Sequence, residues 1–338
     1  MFTQDNCNQI DDLLNNSSTI IITTHRNPDG DALGSTLGLK LFLQKFYKVK
    51  TIVMVPDSYP TFLNWMPGAK EIVVFDQNPS ENSALLNSAS LIFCLDYNNP
   101  GRTADMETVL LSSKATKIML DHHQQPDGFV NFTWSDTTAS STCEILYRFA
   151  AQMSWLKSID IDIAACIYTG IMTDTGSFRF PVTTTDTFRI ISHLKETGLE
   201  HWKIHEALFN NNSFNKLKLW GFALGEAMVN IPEISTTYIA LTADSLSKYN
   251  YKEGDTEGLV NYALSVEGTI LGVLLSEKDG KIRISFRSIG SFSVNKLSRD
   301  NFEGGGHENA AGGISYLSMQ DTINKLLSVI KDIPELKK

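Results

Sequence analysis

The chain has 338 residues, of which 42% are hydrophobic and 20% are charged, and its formal net charge at pH 7 is −9. This composition is typical of a globular protein with two domains and excludes a disordered or fibrous chain. The acidic balance argues against a protein that coats long DNA or RNA, because neutralising many phosphates requires a cationic surface. The four cysteines lack Cys-x-x-Cys spacing, so neither a zinc ribbon nor a disulfide framework is predicted.

The N-terminus carries acidic residues instead of the basic and then apolar pattern of a secretory signal. No segment approaches the length of about 18 uninterrupted apolar residues that a membrane-spanning helix needs. These two observations predict a cytoplasmic enzyme without a membrane span.

The first half of the chain alternates short apolar runs with helix-length segments. The predicted strands are 18–24, 50–55, 71–75, 90–95 and 116–120, and the predicted helices are 32–46, 140–152 and 161–172. Strands separated by helices imply βαβ units and a parallel sheet with helices on both faces. In such sheets, ligand-binding residues gather at the carboxyl ends of the strands, where His25, Asp96 and Asp121 lie here.

The pattern changes near residue 190. Residues 191–227 are predicted to form a helical linker, and strands are predicted at 237–242, 269–276 and 281–288. The last two strands flank Asp279-Gly280, which is a hairpin signal. The predicted fold is therefore α/β, with a parallel-sheet domain over 1–190, the linker over 191–227 and a smaller α/β domain over 228–338.

The turn after the first strand carries one imidazole and two carboxylates within seven residues. His25, Asp29 and Asp31 offer the mixture of nitrogen and carboxylate ligands that Mn²⁺ favours. An equally weighted alternative is a solvated turn that caps the next helix, which Asp residues supply routinely.

Further acidic and imidazole side chains follow later elements. Asp96 and the triplet Asp121-His122-His123 each come after a strand, and Asp174 ends an apolar helix, where the helix dipole disfavours a carboxylate. Taken singly, these residues fit turns and caps. Without cations, the carboxylates in one cleft would repel each other and raise each other's pKa values. The set suits two divalent ions with one bridging carboxylate: His25, Asp29, Asp31, Asp96, His122 and Asp174.

The C-terminal domain contains a candidate anion site. Arg287 ends a strand and suits bidentate phosphate recognition, and the glycines of Gly304-Gly305-Gly306-His307 allow backbone amides to approach a phosphate. The Ala-rich segment that follows is expected to begin a helix, whose N-terminus would favour an anion. Residues 278–307 hold six basic and three acidic side chains, which fits an anionic ligand. The alternative for the glycine run is a flexible hairpin.

The segments THRNPDGDALGS, LDYN, LDHH and TDTGSFRF, in this order, resemble the four motifs of the DHH phosphoesterase superfamily. The later FRS and GGGHENAAGG resemble its DHH-associated C-terminal domain. The chain is most similar to the NrnA-like branch, which comprises oligoribonucleases and 3′-phosphoadenosine 5′-phosphate phosphatases. Glu308 departs from the basic residue frequent at this position in relatives, which weakens the case for a long anionic substrate.

The resemblance implies a role for each residue of the motifs. His25, Asp29 and Asp96 would hold one Mn²⁺, and Asp31, Asp96, His122 and Asp174 would hold the other, with Asp96 as the bridge. Mg²⁺ or Co²⁺ are substitutes that such sites accept. His123 would contact the scissile phosphate, Asp121 would support the metal site, and Arg287 with Gly304–His307 would bind the substrate. Arg102 and the segment 140–142 receive no catalytic role.

The expected activity is Mn²⁺-dependent hydrolysis of short RNA or DNA oligonucleotides and of small phosphorylated nucleotides, with water activated by two metals. One alternative is a phosphodiesterase for cyclic dinucleotides such as c-di-AMP or for linear dinucleotides. Another is a nucleotide-binding sensor without catalysis, which would not need all six ligands. A structural metal site is excluded, because such sites favour closed Cys/His tetrahedra. The sequence does not rank these substrates or decide cleavage polarity, and it leaves a homodimer open.

Overall fold

The computed structural model describes residues 1–210 and 212–337. The chain divides into two compact units, Met1–Asn211 and Asn212–Lys338, so the division falls within the predicted linker 191–227. Asn211 of that linker and Lys338 of the predicted C-terminal domain lie outside the described residues. Among the described residues, no helix is long and apolar enough to cross a membrane.

The N-terminal unit is built on a six-stranded sheet in which all neighbouring strands are parallel. The strands are β1 (Thr19–Thr23), β2 (Lys50–Val55), β3 (Val73–Val74), β4 (Leu91–Leu95), β5 (Thr116–Asp121) and β6 (Phe132–Ser135). Their order across the sheet is β3-β2-β1-β4-β5-β6. The predicted α/β fold is confirmed. The strand predicted over 71–75 is reduced to two residues, because Phe75 begins a short 3₁₀ helix.

Helices cover both faces of this sheet and form two apolar cores. They are α1 (Gln4–Asn16), α2 (Gly30–Phe46), α3 (Pro79–Asn87), α4 (Glu107–Ser112), α5 (Thr142–Gln152), α6 (Ile161–Asp174), α7 (Thr185–Glu196) and α8 (His201–Phe209). Helix α6 is buried throughout its middle, as its apolar sequence predicts. A Cβ at Gly170 of α6 would overlap the Cys143 thiol and the Asp31 carboxylate, so a glycine lets α2 and α5 approach α6 closely.

The C-terminal unit is a second six-stranded sheet in which only β8 and β9 pair in parallel. Its strands are β7 (Met228–Ile231), β8 (Thr236–Leu241), β9 (Leu271–Lys278), β10 (Lys281–Ser288), β11 (Gly305–His307) and β12 (Ala310–Ser315), in the order β11-β12-β10-β9-β8-β7. Its helices are α9 (Phe214–Gly225), α10 (Ala243–Lys248), α11 (Leu259–Leu264), α12 (Val294–Asn301) and α13 (Met319–Ile330). Asp279 and Gly280 both have positive φ, at 50° and 71°, as the hairpin signal predicts.

The expectation that the Ala-rich segment begins a helix is wrong. Residues Ala310–Ser315 form strand β12, which lies between β10 and β11 and pairs antiparallel with both. The helix propensity of alanine is a weak preference, and the hydrogen bonds available to a strand between two others outweigh it. The glycine run is therefore part of the sheet, and no helix N-terminus follows it.

Candidate metal centre

The candidate site lies where the strand order of the first sheet changes direction. From β1 the chain continues to β2 on one side, whereas β4 and β5 lie on the other side. In parallel α/β sheets the carboxyl ends of the strands flanking such a point border the ligand crevice. His25, Asp96 and the pair His122-His123 all follow the ends of β1, β4 and β5, so three separate segments meet at one place.

The first group of candidate ligands contains His25, Asp29 and Asp96. The His25 Nδ1 lies 2.8 Å from the Arg26 carbonyl oxygen, which favours a proton on Nδ1 and leaves Nε2 as the ligating nitrogen. This Nε2 is 3.2 Å from Asp96 Oδ2 and 3.9 Å from Asp29 Oδ2. The other oxygen of Asp29 accepts hydrogen bonds from the backbone amides of Asp31 and Ala32. Asp29 therefore caps α2 and faces His25 at the same time.

The second group surrounds His122, whose side chain is 6% exposed. Its Nε2 is 3.2 Å from Asp174 Oδ2, 3.5 Å from Asp96 Oδ1 and 3.9 Å from Asp31 Oδ2. Asp31 is fully buried in the first turn of α2, and Asp174 is the last residue of α6. The structure thus brings together all six side chains that the sequence predicts as metal ligands.

Asp96 belongs to both groups, and its two oxygens face different histidines. Oδ2 lies nearest to His25, and Oδ1 lies nearest to His122. The backbone of Asp96 adopts φ of 65°, in the left-handed region that non-glycine residues other than Asn and Asp rarely occupy. A carboxylate with one oxygen toward each group is the arrangement expected of a bridging ligand.

Electrostatics in this cluster are dominated by burial and by the proximity of like charges. Burial, followed by the charges of Asp96 and Asp174, raises the pKa of Asp31 well above its usual range. Burial also raises the pKa of Asp174 to about 6. Burial disfavours the charged form of Asp96 as well, but hydrogen bonds with His122 and His25 outweigh it and lower the Asp96 pKa. The cluster without cations therefore carries an excess of negative charge that protons partly neutralise.

The two adjacent histidines have different surroundings. The His123 Nδ1 is 2.7 Å from Asp121 Oδ1, and the His123 backbone amide donates to Asp121 Oδ2 at 2.9 Å. Burial lowers the pKa of His123, and although the hydrogen bond with Asp121 opposes this effect, the positive charge of Arg102 adds to it. Asp121 is thus placed to orient His123, whereas the sequence leaves open which imidazole it would support.

In the C-terminal unit, the predicted substrate residues lie on neighbouring strands. Arg287 of β10 and His307 of β11 are both directly opposite Ala310 of β12. Directly opposed residues of antiparallel strands project from the same face, and two strand spacings amount to about 10 Å. The small Ala310 side chain therefore lies between an arginine and a histidine. Gly304 precedes β11, and Gly305 and Gly306 lie within it, where the Gly306 amide donates to Asn295 Oδ1 at 3.1 Å.

Three residues of the N-terminal unit have a place here that sequence reasoning missed. Arg102 is half-buried, its positive charge acts on both His25 and His123, and its guanidinium makes no hydrogen bond or ion pair with a described residue. Thr142 donates its hydroxyl proton to Asp96 at 3.0 Å. Glu144 is fully buried behind Thr142. The Ser-Ser-Thr sequence signals a helix start, but nothing in it shows which way the hydroxyls point.

The chemistry of the donors fits divalent cations. The six side chains offer imidazole nitrogens and carboxylate oxygens and no thiolate, which suits Mn²⁺ or a similar ion. The ligand atoms of His25, Asp29 and Asp96 lie within 4.8 Å of one another, and so do those of Asp31, Asp96 and His122. Asp174 joins the second set through His122, whose Nε2 is 3.2 Å from Asp174 Oδ2. The excess negative charge of the cluster gives a cation a direct electrostatic role.

Comparisons with known proteins identify the family to which the two units are similar. The DHH family, N-terminal domain, matches residues 19–171, and the DHHA1 domain matches residues 235–334. The bifunctional oligoribonuclease and PAP phosphatase NrnA of Bacillus subtilis is 31% identical, over 88% of this chain and 90% of that protein. The cyclic-di-AMP phosphodiesterase GdpP of Bacillus subtilis is 24% identical, over 95% of this chain and 49% of that protein.

Solved structures show the same fold. An exopolyphosphatase-related protein from Bacteroides fragilis superimposes with a TM-score of 0.94 at 35% identity, covering 99% of this chain and 98% of the other. RecJ from Thermus thermophilus, in complex with Mn²⁺, gives a TM-score of 0.52 at 12% identity, covering 98% of this chain and 55% of RecJ. The second likeness concerns the fold alone.

Proposed function

The chain belongs to the DHH family of phosphoesterases and carries a DHHA1 domain, and from this premise we propose that it hydrolyses short oligonucleotides and 3′-phosphoadenosine 5′-phosphate with two Mn²⁺ ions. Because the members of this family are phosphoesterases, the chain is a hydrolase.

One observation carries the two-metal part of the proposal. The Asp96 carboxylate lies between two histidines, with Oδ2 at 3.2 Å from His25 Nε2 and Oδ1 at 3.5 Å from His122 Nε2. A single carboxylate placed in this way would serve two ions, and separate acidic residues would complete each site. Asp29 joins the His25 side, and Asp31 with Asp174 joins the His122 side.

Bound divalent ions supply a water nucleophile at neutral pH and stabilise the charge that develops on the transferring phosphoryl group. The residues around them supply orientation. Asp121 holds the Nδ1 side of the His123 ring, which assigns contact with the scissile phosphate to Nε2. Arg102 adds a positive charge beside His25 and His123, suited to a non-bridging phosphate oxygen.

The C-terminal unit supplies recognition of the substrate in this proposal. Arg287 and His307 flank Ala310 on one face of the sheet. Along β10, partly exposed residues alternate with buried ones, and Arg287 is one of the partly exposed residues. Arg287 would bind a phosphate and the Gly304–His307 segment would contact the terminal nucleotide.

The B. subtilis NrnA relative supports short RNA and 3′-phosphoadenosine 5′-phosphate as substrates. A second candidate is hydrolysis of cyclic-di-AMP or of its linear dinucleotide, which the likeness to GdpP favours. Mn²⁺ bound to RecJ supports the choice of metal, and Mg²⁺ or Co²⁺ are the substitutes to compare.

The test is a substrate panel with purified protein, comparing kcat/KM for a linear dinucleotide, 3′-phosphoadenosine 5′-phosphate, cyclic-di-AMP and a long single-stranded RNA. We expect the dinucleotide or 3′-phosphoadenosine 5′-phosphate to be preferred and Asp96→Ala to be inactive on all substrates. Asp186→Ala is the matched control, because Asp186 is exposed and pairs with Arg189 on the surface of α7. Equal kcat/KM on long and short RNA would contradict the short-substrate proposal, and a preference for cyclic-di-AMP would favour the second candidate.

A further inference from the structure

The N-terminus of helix α5 is directed at two of the candidate metal ligands. The backbone amide of Thr142 donates to Asp31 Oδ2 at 2.6 Å, and that of Cys143 donates to Asp31 Oδ1 at 2.9 Å. The Thr142 hydroxyl donates to Asp96 Oδ1 at 3.0 Å. Thr142, Cys143 and Asp31 are all fully buried, so water does not compete for these hydrogen bonds.

The Thr142 hydroxyl helps to fix the orientation of the Asp96 carboxylate, together with the histidines beside it. It contacts Oδ1, the oxygen nearest to His122, and leaves Oδ2 opposite His25. A half-turn about the Cβ–Cγ bond only exchanges two equivalent oxygens, but at any orientation between these two the hydroxyl would lose its acceptor inside a buried site. The hydroxyl thus favours the orientation in which each oxygen faces a different group of ligands.

A second layer of contacts fixes the first turn of α5. Ser141 caps the helix by accepting the Glu144 amide at 3.1 Å. The buried Glu144 carboxylate accepts hydrogen bonds from Ser140 and from Thr187 of α7, and it pairs with Arg148 one turn further along α5. This support holds the hydroxyl in place before any ion binds, as preorganised sites require.

We propose that Thr142 is a positioning residue that holds Asp96 as the bridge between two metal ions, an inference that rests on the proposed two-metal function. Thr142 does not itself ligate an ion or contact substrate. Its hydroxyl acts through Asp96, so its loss weakens metal binding instead of abolishing chemistry. Groups that support metal ligands in this way typically change metal affinity or activity roughly 10- to 100-fold when removed.

The experiment compares Thr142→Val with Thr142→Ser. Valine has nearly the same shape, retains the backbone amide to Asp31 and removes only the hydroxyl, whereas serine retains the hydroxyl. Thr322→Val is the control, because Thr322 is also fully buried and its hydroxyl lies 2.8 Å from that of Ser315 in the C-terminal unit. Each protein is treated with EDTA and then titrated with Mn²⁺ by calorimetry, with electron paramagnetic resonance to detect the coupled ion pair.

Of the two Mn²⁺ ions, the more weakly bound one should bind to Thr142→Val roughly 10- to 100-fold less tightly than to the wild type. At a Mn²⁺ concentration that saturates the wild type, its coupled signal should be lost. Raising Mn²⁺ should restore kcat without a change in the KM for a dinucleotide. Thr142→Ser and Thr322→Val should bind Mn²⁺ as the wild type does.

Two results overturn the proposal, and they are distinguishable. If the wild type and Thr142→Val bind two ions with equal affinity, Thr142 is not a positioning residue, although the two-metal function stands. If the wild type binds a single ion, the two-metal function fails and this inference fails with it. Should the valine variant not fold, Thr142→Ala replaces it, since alanine and serine both lack the methyl group and only alanine lacks the hydroxyl. Equal Mn²⁺ affinity in that pair would also overturn the proposal.

Discussion

At the scale of single residues, the adjacent histidines His122 and His123 divide two tasks. His122 faces Asp31, Asp96 and Asp174, whereas His123 is held by both oxygens of Asp121. The two rings lie 4.8 Å apart and the His123 Nδ1 is also 3.7 Å from Asp96 Oδ1, so the two imidazoles border the same site but differ in the carboxylates nearest to them.

This division predicts different defects for two matched variants. His122→Asn should weaken Mn²⁺ binding strongly, because it removes the central ligand of one group. His123→Asn should leave Mn²⁺ affinity unchanged and lower kcat by roughly 10²- to 10³-fold, the range for loss of one hydrogen-bond donor that stabilises the transition state. Calorimetric Mn²⁺ titration and steady-state kinetics measure the two effects. Equal loss of Mn²⁺ affinity in both variants would contradict the assignment.

The raised pKa values of Asp31 and Asp174 predict how pH affects stability. An acid whose pKa is higher in the folded state stabilises the fold when it is protonated, and this contribution is lost as pH rises through the folded value, about 6 for Asp174. His122 acts in the same direction because its pKa is also raised, although burial opposes the effect of its carboxylate partners. Bound Mn²⁺ would compensate the negative charge that is left in the cluster when these groups lose their protons.

The difference in melting temperature between Mn²⁺-loaded and EDTA-treated protein should therefore increase from about pH 5 to about pH 7.5. Thermal unfolding at constant ionic strength measures it. Asp96→Ala, which lacks the bridge, is the control and should show little Mn²⁺-dependent shift at any pH. A difference that is constant or shrinks as pH rises would contradict the electrostatic account.

At the scale of elements, the start of α2 combines a helix cap with a metal ligand. Asp29 uses Oδ1 to accept two backbone amides of α2 and directs Oδ2 toward His25. Asparagine caps helices about as well as aspartate but lacks the negative charge for a cation.

Asp29→Asn should therefore weaken Mn²⁺ binding while leaving the stability of the EDTA-treated protein nearly unchanged. Asp29→Ala should weaken Mn²⁺ binding and also lower the free energy of unfolding by about 1 kcal/mol, through loss of the cap. Urea denaturation with EDTA and Mn²⁺ titration separate the two roles. A stability loss in Asp29→Asn as large as that in Asp29→Ala would contradict the division between the two oxygens.

The three strands β10, β12 and β11 carry the residues that we propose to bind substrate. Ala310 lies directly between Arg287 and His307, so its small side chain leaves the space between them open. Ala310→Leu fills that space without altering either group of metal ligands.

This variant should raise the KM for a dinucleotide, while Mn²⁺ affinity stays at the wild-type value. Tyr316→Leu is the control, because Tyr316 is exposed and lies just after β12. Ala240→Leu would not serve, because Ala240 packs against the core. An unchanged KM in Ala310→Leu would exclude this face from substrate binding.

Much of this architecture is predictable from sequence, and the exceptions have physical reasons. Strands β2 and β10 match their predicted bounds, because buried apolar runs and a hairpin signal define them. The edge strands β6 and β7 escape prediction, since each buries too few side chains to leave an apolar run. Strand β12 was mistaken for a helix start because its pairing partners are distant in sequence.

The candidate ligands are predictable because carboxylates and imidazoles follow strand ends at a recognisable spacing. The supporting contacts are not. That Thr142 faces Asp96, and that Asp121 holds His123 and not His122, depends on side-chain directions that only the packed structure defines. From sequence alone, such residues are interpreted as helix caps and turn residues. Many of them do have that role in addition to their contacts at the site.

At the scale of the whole molecule, the distribution of charge gives the acidic balance a different meaning. Residues 1–190 hold 13 basic and 20 acidic side chains, and five of those acids are Asp29, Asp31, Asp96, Asp121 and Asp174. Two divalent ions would offset most of the charge of that cluster. The net charge of −9 is therefore compatible with an enzyme that acts on nucleotides.

The most direct test of the account is the rate of dinucleotide hydrolysis by the EDTA-treated wild type as Mn²⁺ is added back in measured equivalents. The account predicts no hydrolysis without metal and a rate that reaches its maximum only when two ions per chain are bound. Full activity after chelation, or a maximum at one equivalent, would contradict the two-metal centre.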